Sequence, residues 1–315
     1  MESVSEQTIK VDTNIYIIGN GVVAKALAVA LTLKGKKVTI LRGSVDDQPT
    51  SRELLEIETE NNTLQAEVAI STLNNYTQLD GLILLTNKSF GNQELAEKLK
   101  FKAKHSPVVF LQNGLHIEDS FIGAGFTELY RCVLFVTSQS VSNNKVRFRP
   151  VASSPIGVIK SSFDNLDSIV DELNTDVFSF RAEANIQTVI WKKAISNCVF
   201  NSICPLLEID NGVFHRNEAA LQIAKTVIAE CVEVANQNNI QLTEHDVLEN
   251  VLMISKMSDG QKISTYQDIL NKRETEIETL NFAVAKVAQV SGSAKVPVTT
   301  LLGEMTKLKS ELFRM

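Results

Sequence analysis

Lys193, Asn197 and Asn201 stand four residues apart in the stretch W-K-K-A-I-S-N-C-V-F-N, which runs from Trp191 to Asn201. At helical spacing they stack along one face, an amine followed by two carboxamides. An amine placed so can supply a proton and a positive charge where negative charge develops on oxygen, and carboxamides bind polar groups through neutral donors. Asparagine is a poor helix-interior residue, because its side chain competes for backbone hydrogen bonds. Trp191, Ala194, Ile195, Cys198 and Val199 form an adjacent apolar stripe at i, i+3, i+4, i+7 and i+8, which buries that side of the helix. A solvated polar face would show the same row, so its meaning depends on whether the chain also supplies a cofactor and a carboxylate to face it.

A cofactor site is written near the start. Asn14–Ile18 is a short apolar strand, followed by G-N-G-V-V-A and then an alanine-rich helical run. Strand, glycine turn and helix together raise G-x-G-x-x-(G/A) from a weak pattern to a dinucleotide fingerprint. Gly19 permits the turn, Gly21 lets the backbone approach a pyrophosphate, and Ala24 lets helix and strand pack closely. Gly19, Asn20, Gly21, Val22, Val23 and Ala24 therefore form the candidate phosphate cradle, with the pyrophosphate on the helix N-terminus. The second strand, Lys37–Leu41, is followed by Arg42 instead of the acid that would accept a ribose 2′-hydroxyl. A guanidinium there suits a 2′-phosphate and points to NADP(H), although a solvated loop arginine would look the same and Asp46-Asp47 lies close by. Two further strands, Gly81–Thr86 and Pro107–Leu111, lead into Lys88 and Asn113, at the carboxyl ends where an open α/β sheet binds its ligand. Asn113-Gly114 is equally a turn signal.

The remaining elements must hold these groups. Leu55–Ile70 reads as a hairpin with its tip at Asn61-Asn62, and Ser89–Ala103 as a helix. The chain then turns β-rich: Glu128–Phe135, Ser138–Phe148 bent at Asn143-Asn144, and Ile156–Ile159. A helix at Asn165–Leu173 and a strand at Val177–Phe180 close this half. Beyond it the period is helical, at 185–203, Asn217–Asn238, Thr243–Met257 and Val296–Phe313. The expected organisation is an α/β chain: a Rossmann-type doubly wound sheet over 1–183, then an all-helical domain over 184–315. Within the second, Ser264 or Thr265 is expected to cap a short helix with Asp268, and Thr275 with Glu278 to start another. Glu276 then falls in a first turn, where a carboxylate is favoured, as it is in many helices.

Composition narrows the class. The chain has 315 residues, 44% hydrophobic and 22% charged, with a net charge of −6, which argues against a nucleic-acid footprint. The first thirteen residues carry no apolar run, so no secretory signal is expected, and no run reaches the ~18 residues of a membrane span. Four cysteines without a C-x-x-C pair and four scattered histidines suggest a reducing, cytoplasmic setting and no metal site.

With these stretches in hand, the sequence resembles the ketopantoate reductase (2-dehydropantoate 2-reductase) family over nearly its whole length. The run from Trp191 is similar to that family's W-x-K-x-x-x-N-x-x-x-N helix, with a matching Asn211-Gly212. S-T-Y-Q-D-I-L-N-K-R-E-T-E-I, from Ser264, resembles its S-S-M-x-Q-D-x-x-x-x-R-x-T-E-I segment. The resemblance implies NADPH-dependent reduction of ketopantoate to pantoate, in pantothenate biosynthesis. Lys193 would be the catalytic general acid and Glu276 the carboxylate beside it. Asn197, Asn201 and Ser264 would contact substrate together with those two, Asn113 and Lys88 would lie at the nicotinamide end, and Arg42 would meet the 2′-phosphate. Closure about a hinge near Glu183 would assemble the site. Three positions depart from the family pattern: His116 replaces the second glycine of Q-N-G-x-G, Ser202–Pro205 replaces P-L-T-A, and Ala24 stands where glycine is commoner. The expected partner is a small 2-oxo acid, with neither nucleic acid nor membrane, and the oligomeric state is open, a homo-oligomer included. The alternatives are a sister reductase acting on another 2-oxo acid and a non-catalytic NADP(H)-binding protein.

Overall fold

The computed structural model describes residues 13–43, 47–292 and 294–315, so Ser44 and Asp46, near Arg42, lie outside the described residues. The chain forms two units. One takes in the chain up to Gln112 together with Glu118–Ile186, and the other takes in Asn113–Ile117 and Gln187–Met315.

The first unit is built on one eleven-stranded sheet. Its strands are β1 (Ile15–Ile18), β2 (Val38–Arg42), β3 (Ser51–Glu58), β4 (Thr63–Thr72), β5 (Leu82–Leu85), β6 (Val108–Phe110), β7 (Leu129–Cys132), β8 (Val136–Ser140), β9 (Lys145–Pro150), β10 (Ser154–Lys160) and β11 (Phe180–Ala182). They lie in the order β11-β10-β7-β6-β5-β1-β2-β4-β3-β9-β8. The six strands from β4 through β2, β1, β5 and β6 to β7 are parallel to one another. Every residue of β1, β5 and β6 is buried, as continuous apolar runs in a sheet covered on both faces must be. β3 and β4 form the expected hairpin, closed at its tip by the Thr59 N–H donating to Asn62 O at 2.8 Å.

Helix α1 (Val22–Leu33) packs on β2, β3 and β4 through a face of small residues, with Ala24, Ala26 and Ala28 fully buried. From β1 the chain moves outward through β2 to β4, then returns across β1 to β5, so the strand order reverses at β1. That reversal opens the crevice in which such sheets hold ligands. The helix expected over Ser89–Ala103 is shorter, α2 (Asn92–Leu99) behind a single 3₁₀ turn at Ser89–Gly91. The unit is completed by α3 (Asp119–Gly123) and α4 (Leu166–Leu173), the latter packed on β10 and β11.

The second unit is helical: α5 (Ile186–Leu207), α6 (Val213–Arg216), α7 (Glu218–Gln237), α8 (Glu244–Met257), α9 (Ser264–Leu270), α10 (Asn281–Ser291) and α11 (Pro297–Arg314). Trp191, Ala194, Ile195, Cys198 and Val199 are all buried, so the apolar stripe of α5 is its core face. α5 runs past the expected end at 203 and through Pro205. Proline lacks the N–H that would meet the Asn201 carbonyl, a loss tolerable so near a helix end. α7 and α8 are capped by their own sequence: Asn217 accepts from the Ala220 N–H and Thr243 from the Asp246 N–H.

The capping expected around Ser264 and Thr275 differs. Ile263 is the N-cap of α9 and offers no side-chain bond, while Asp268 is buried and accepts from Arg273 Nε at 2.9 Å. After Thr275 comes a 3₁₀ turn at Ile277–Thr279 before α10 begins, and Glu278 pairs with Lys307 at 2.6 Å instead of closing a capping box. No helix among the described residues is long and apolar enough to cross a membrane.

Candidate active site

In the first unit the candidate cofactor groups gather at the carboxyl ends of β1, β2, β4 and β5. Gly19 follows β1 with φ +117°, and a Cβ there would lie 2.7 Å from Thr86 Oγ1 and 2.8 Å from the Asn87 backbone nitrogen. Only glycine fits both the dihedral and the space. Gly21 is the N-cap of α1, and an added Cβ would meet no atom within 4 Å, so space is open in front of the helix N-terminus. The first turn of α1 has neither a capping side chain nor an acidic residue, and its N–H groups suit an anion.

Arg42 ends β2 in register with Thr72, the last residue of β4. Its Nη2 donates to Pro49 O at 3.4 Å, but its Nε is buried and has no hydrogen-bond partner. Thr72 Oγ1 and Asn87 Oδ1 are in the same condition. Buried polar atoms are nearly always paired, so three orphans at or just past the carboxyl ends of β2, β4 and β5 mark a place shaped for a ligand with both donors and acceptors. A nucleotide bearing a phosphate and ribose hydroxyls fits that set. Sequence reasoning identified Arg42 and missed Thr72 and Asn87; the signal was that each stands at a strand end beside a residue already chosen.

Lys88 opens the 3₁₀ turn after β5 and is half-buried. Two buried carboxamides fix the preceding residue. Gln112 Nε2 donates to Asn87 O at 2.9 Å and to Asn92 Oδ1 at 2.8 Å, and Asn92 Nδ2 donates back to Gln112 Oε1 at 2.8 Å.

The other candidates belong to the second unit. Lys193 and Asn197 are half-buried on α5, and Asn201 is 2% exposed. Asn201 Oδ1 accepts the Thr265 N–H at 3.2 Å and the Ser264 hydroxyl at 3.3 Å, so the structure brings these two substrate candidates into contact. Glu276 is half-buried at the start of the 277–279 turn, whose Thr279 N–H donates to Glu276 O at 3.1 Å. The Asn113–Ile117 segment lies on that turn. Leu115 N–H donates to Thr279 O at 2.8 Å, and Gly114, with φ +107°, would carry a Cβ 2.5 Å from the Thr279 side chain. The loop of Asn113 and the turn of Glu276 are thus stitched together, a pairing that strand-end reasoning about Asn113 did not foresee. Farther along, Arg216 bonds both oxygens of Asp210 at 2.7 and 2.8 Å and pairs with Asp259 at 2.6 Å. The Arg216 guanidinium holds the Asp210 carboxyl down at about 2.

Residues 15–159 match the ketopantoate reductase PanE/ApbA family, and residues 185–310 match that family's C-terminal domain. The chain belongs to the ketopantoate reductase family. The family is one of NAD(P)H-dependent oxidoreductases. The 2-dehydropantoate 2-reductase of Pyrococcus horikoshii is 26% identical over 303 residues, covering 95% of this chain and 98% of that one. Among solved structures, a PanE/ApbA family ketopantoate reductase from Ralstonia eutropha superposes with a TM-score of 0.83 at 22% identity, over 96% of this chain and 100% of that one. D-mandelate dehydrogenase, solved with NADH and anilino(oxo)acetate, reaches 0.84 at 20% identity, over 96% and 99%. Against the ketopantoate reductase pattern, His116 is instructive. It takes φ +56° where the family pattern has glycine, so the left-handed backbone is kept and an exposed imidazole is added.

Proposed function

We propose that this chain reduces ketopantoate to pantoate with NADPH, the reductive step that supplies pantoate for pantothenate. The reading rests on one observation. A unit bearing Lys193, Asn197, Asn201, Ser264 and Glu276 accompanies a dinucleotide crevice whose Arg42 Nε is buried and unpartnered.

Bound NADPH supplies the hydride. Arg42 and the first turn of α1 would hold its 2′-phosphate and pyrophosphate, with Gly19–Ala24 as the cradle. Lys88 and Asn113 would be the residues for the nicotinamide end. As the carbonyl carbon of the 2-oxo acid accepts hydride, its oxygen gains negative charge. The Lys193 ammonium meets that charge and delivers the proton. Glu276 orients the amine or accepts from a substrate hydroxyl. Asn197 and Ser264 bind the carboxylate and distal hydroxyl, and Asn201, whose Oδ1 is occupied, offers its Nδ2 donors. Buried cysteines at 132, 198, 204 and 231, none of them in a disulfide, accord with a cytoplasmic enzyme.

A second reading, a sister reductase for another 2-oxo acid, draws on the likeness to D-mandelate dehydrogenase and on the departures at His116 and Ser202–Pro205. NADPH oxidation measured with ketopantoate, 2-oxo-3-methylbutanoate and phenylglyoxylate separates the two. Fastest turnover of ketopantoate supports the first, and dominance of another acid replaces it with the second. Cofactor binding without turnover of any 2-oxo acid would leave a non-catalytic NADP(H)-binding protein.

A further inference from the structure

A short turn leads into Ser264. α8 ends at Met257 and α9 begins at Ser264, and between them the chain reverses at Gly260, whose φ of +74° favours glycine. Surface loops of this kind are ordinarily mobile. Here each of the four residues 258–261 is tied to the segment that follows α5. Asn211 Nδ2 donates to Ser258 Oγ at 3.2 Å, and Arg216 Nη1 to Asp259 Oδ1 at 2.6 Å. The Gly260 N–H donates to Asp210 Oδ1 at 3.2 Å, and the Asn211 N–H to Gln261 O at 2.8 Å. Asp210 is the hub. Its Oδ1 also accepts the Gly212 N–H at 2.7 Å, and its two oxygens accept from Arg216 at 2.7 and 2.8 Å. Gly212 closes the contact, since a Cβ there would lie 2.8 Å from Asp259 Cγ.

We propose that Asp210 is a positioning residue for Ser264: its carboxylate fixes the loop from which α9 starts, and so sets where the Ser264 hydroxyl meets the substrate. Asp210 acts through Ser264, so its role rests on the reading of Ser264 as a substrate contact. On the far side, α9 is held to Asn201 by two bonds of 3.2 and 3.3 Å, both longer than the usual 2.9–3.0 Å, and its N-cap Ile263 adds no side-chain bond. Hydrogen bonds to an ionised acceptor are roughly twice as strong as neutral ones, so the anchor at Asp210 outweighs that pair. Only 24% of the Asp210 side chain is exposed, against 44% for Asp259, and water competes less for it. A carboxylate is also what the geometry asks for. Two backbone N–H groups and a guanidinium converge on it, and only an ionised carboxyl accepts from all of them through both oxygens. From Gln261, three residues of chain carry this fixed point to Ser264.

Hydrogen exchange read by mass spectrometry, and turnover of two acids, test it on the full chain. In Asp210→Ala the amides from Gly260 to Thr265 should exchange about tenfold faster, the equivalent of one hydrogen bond, while those of α7 do not change. The ratio of kcat/KM for ketopantoate over 2-oxo-3-methylbutanoate should fall by about 3–10-fold, through KM for ketopantoate, with NADPH affinity unmoved. Asp210→Asn keeps an acceptor for both N–H groups and should lie between Asp210→Ala and wild type in both measurements. Ser264→Ala should lower the ratio by itself. Adding Asp210→Ala to it should lower the ratio no further, because nothing is then left to position. Unchanged exchange in Asp210→Ala would overturn the proposal, as would a full further drop in the double variant, which is what two independent roles give. Should Asp210→Ala loosen α7 as well, Asp210→Asn carries the same comparison in a folded chain. If Ser264→Ala leaves the ratio where it stood, the reading of Ser264 as a substrate contact fails, and the exchange rates alone decide whether Asp210 holds the loop.

Discussion

The side-chain oxygen of Asn201 accepts the backbone N–H of Thr265 at 3.2 Å, so α5 caps a helix that begins more than sixty residues later. α9 brings no cap of its own, since its N-cap is Ile263. The same oxygen accepts the Ser264 hydroxyl at 3.3 Å. One carboxamide thus satisfies a helix end and orients a neighbouring candidate for substrate contact.

Asn201→Ala is expected to lower stability by about 1–3 kcal/mol, because the buried Thr265 N–H loses its acceptor. Urea denaturation of the purified chain reads this directly. Asn201→Asp keeps an acceptor at the helix N-terminus and should recover part of the loss while removing the Nδ2 donors. An unchanged midpoint in Asn201→Ala would show that water replaces the cap at little cost.

Much of the fold was legible because its signals are local. β1, β5 and β6 are uninterrupted apolar runs, and the glycine turn before α1 declares itself by spacing. Lys193, Asn197 and Asn201 share a face because four residues make about one helical turn. The cap on α9 was not legible, since it depends on an oxygen far away in sequence and no spacing rule connects Asn201 with Thr265. Thr72 and Asn87 were missed for a related reason: what marks them is the lack of a partner, which only packing reveals. On α11 Leu301, Met305, Leu308 and Leu312 face outward while Thr299, Gly303, Thr306 and Ser310 are buried, and periodicity cannot say which stripe faces in when small residues form the other one.

The orphaned Nε of Arg42 leads to a cofactor prediction. NADPH should be preferred over NADH, and Arg42→Ala should cost about 1.5–3 kcal/mol of NADPH binding, the worth of hydrogen bonds to a charged group. Titration of the variant with both cofactors, followed by nicotinamide fluorescence, measures it. A preference that does not move would return Arg42 to the role of a solvated loop residue.

Lys193→Ala should lower kcat by about 10²–10⁴-fold, the usual worth of a general acid, while leaving NADPH affinity nearly unchanged. Glu276→Gln should also impair turnover with little change of shape. Residual activity within a few-fold of wild type in Lys193→Ala would remove the proton-donor assignment.

Asp210 leads to a prediction about acid. Its carboxyl is held at about 2, below the ordinary 3.8, chiefly by the hydrogen bond from Arg216. A depressed carboxyl contributes stability that is fully present above the unfolded value and is lost as pH falls through the folded one. Stability should therefore fall between about pH 4 and pH 2, and Arg216→Met should flatten that part of the profile while lowering stability at neutral pH. Melting temperatures of both chains across this range decide the matter; parallel profiles would count against it.

The substrate prediction concerns the distal hydroxyl. Ketopantoate carries a carboxylate, a ketone and a terminal hydroxyl about a dimethyl carbon, and 2-oxo-3-methylbutanoate lacks that hydroxyl. A site built to hydrogen-bond a hydroxyl is left with unpaired buried polar groups when an analogue omits it, and it rejects the analogue strongly. Asn201, nearly excluded from solvent, is a group of that kind, and its side-chain oxygen orients the exposed Ser264 hydroxyl beside it. Ketopantoate should therefore exceed 2-oxo-3-methylbutanoate in kcat/KM by at least ~10²-fold. Asn197→Ala and Ser264→Ala should narrow the ratio by acting mainly on ketopantoate. Equal rates on the two acids, or neither turned over beside fast reduction of phenylglyoxylate, would instead place the discriminating groups at His116 and Ser202–Pro205, leaving the roles of Lys193 and Arg42 intact.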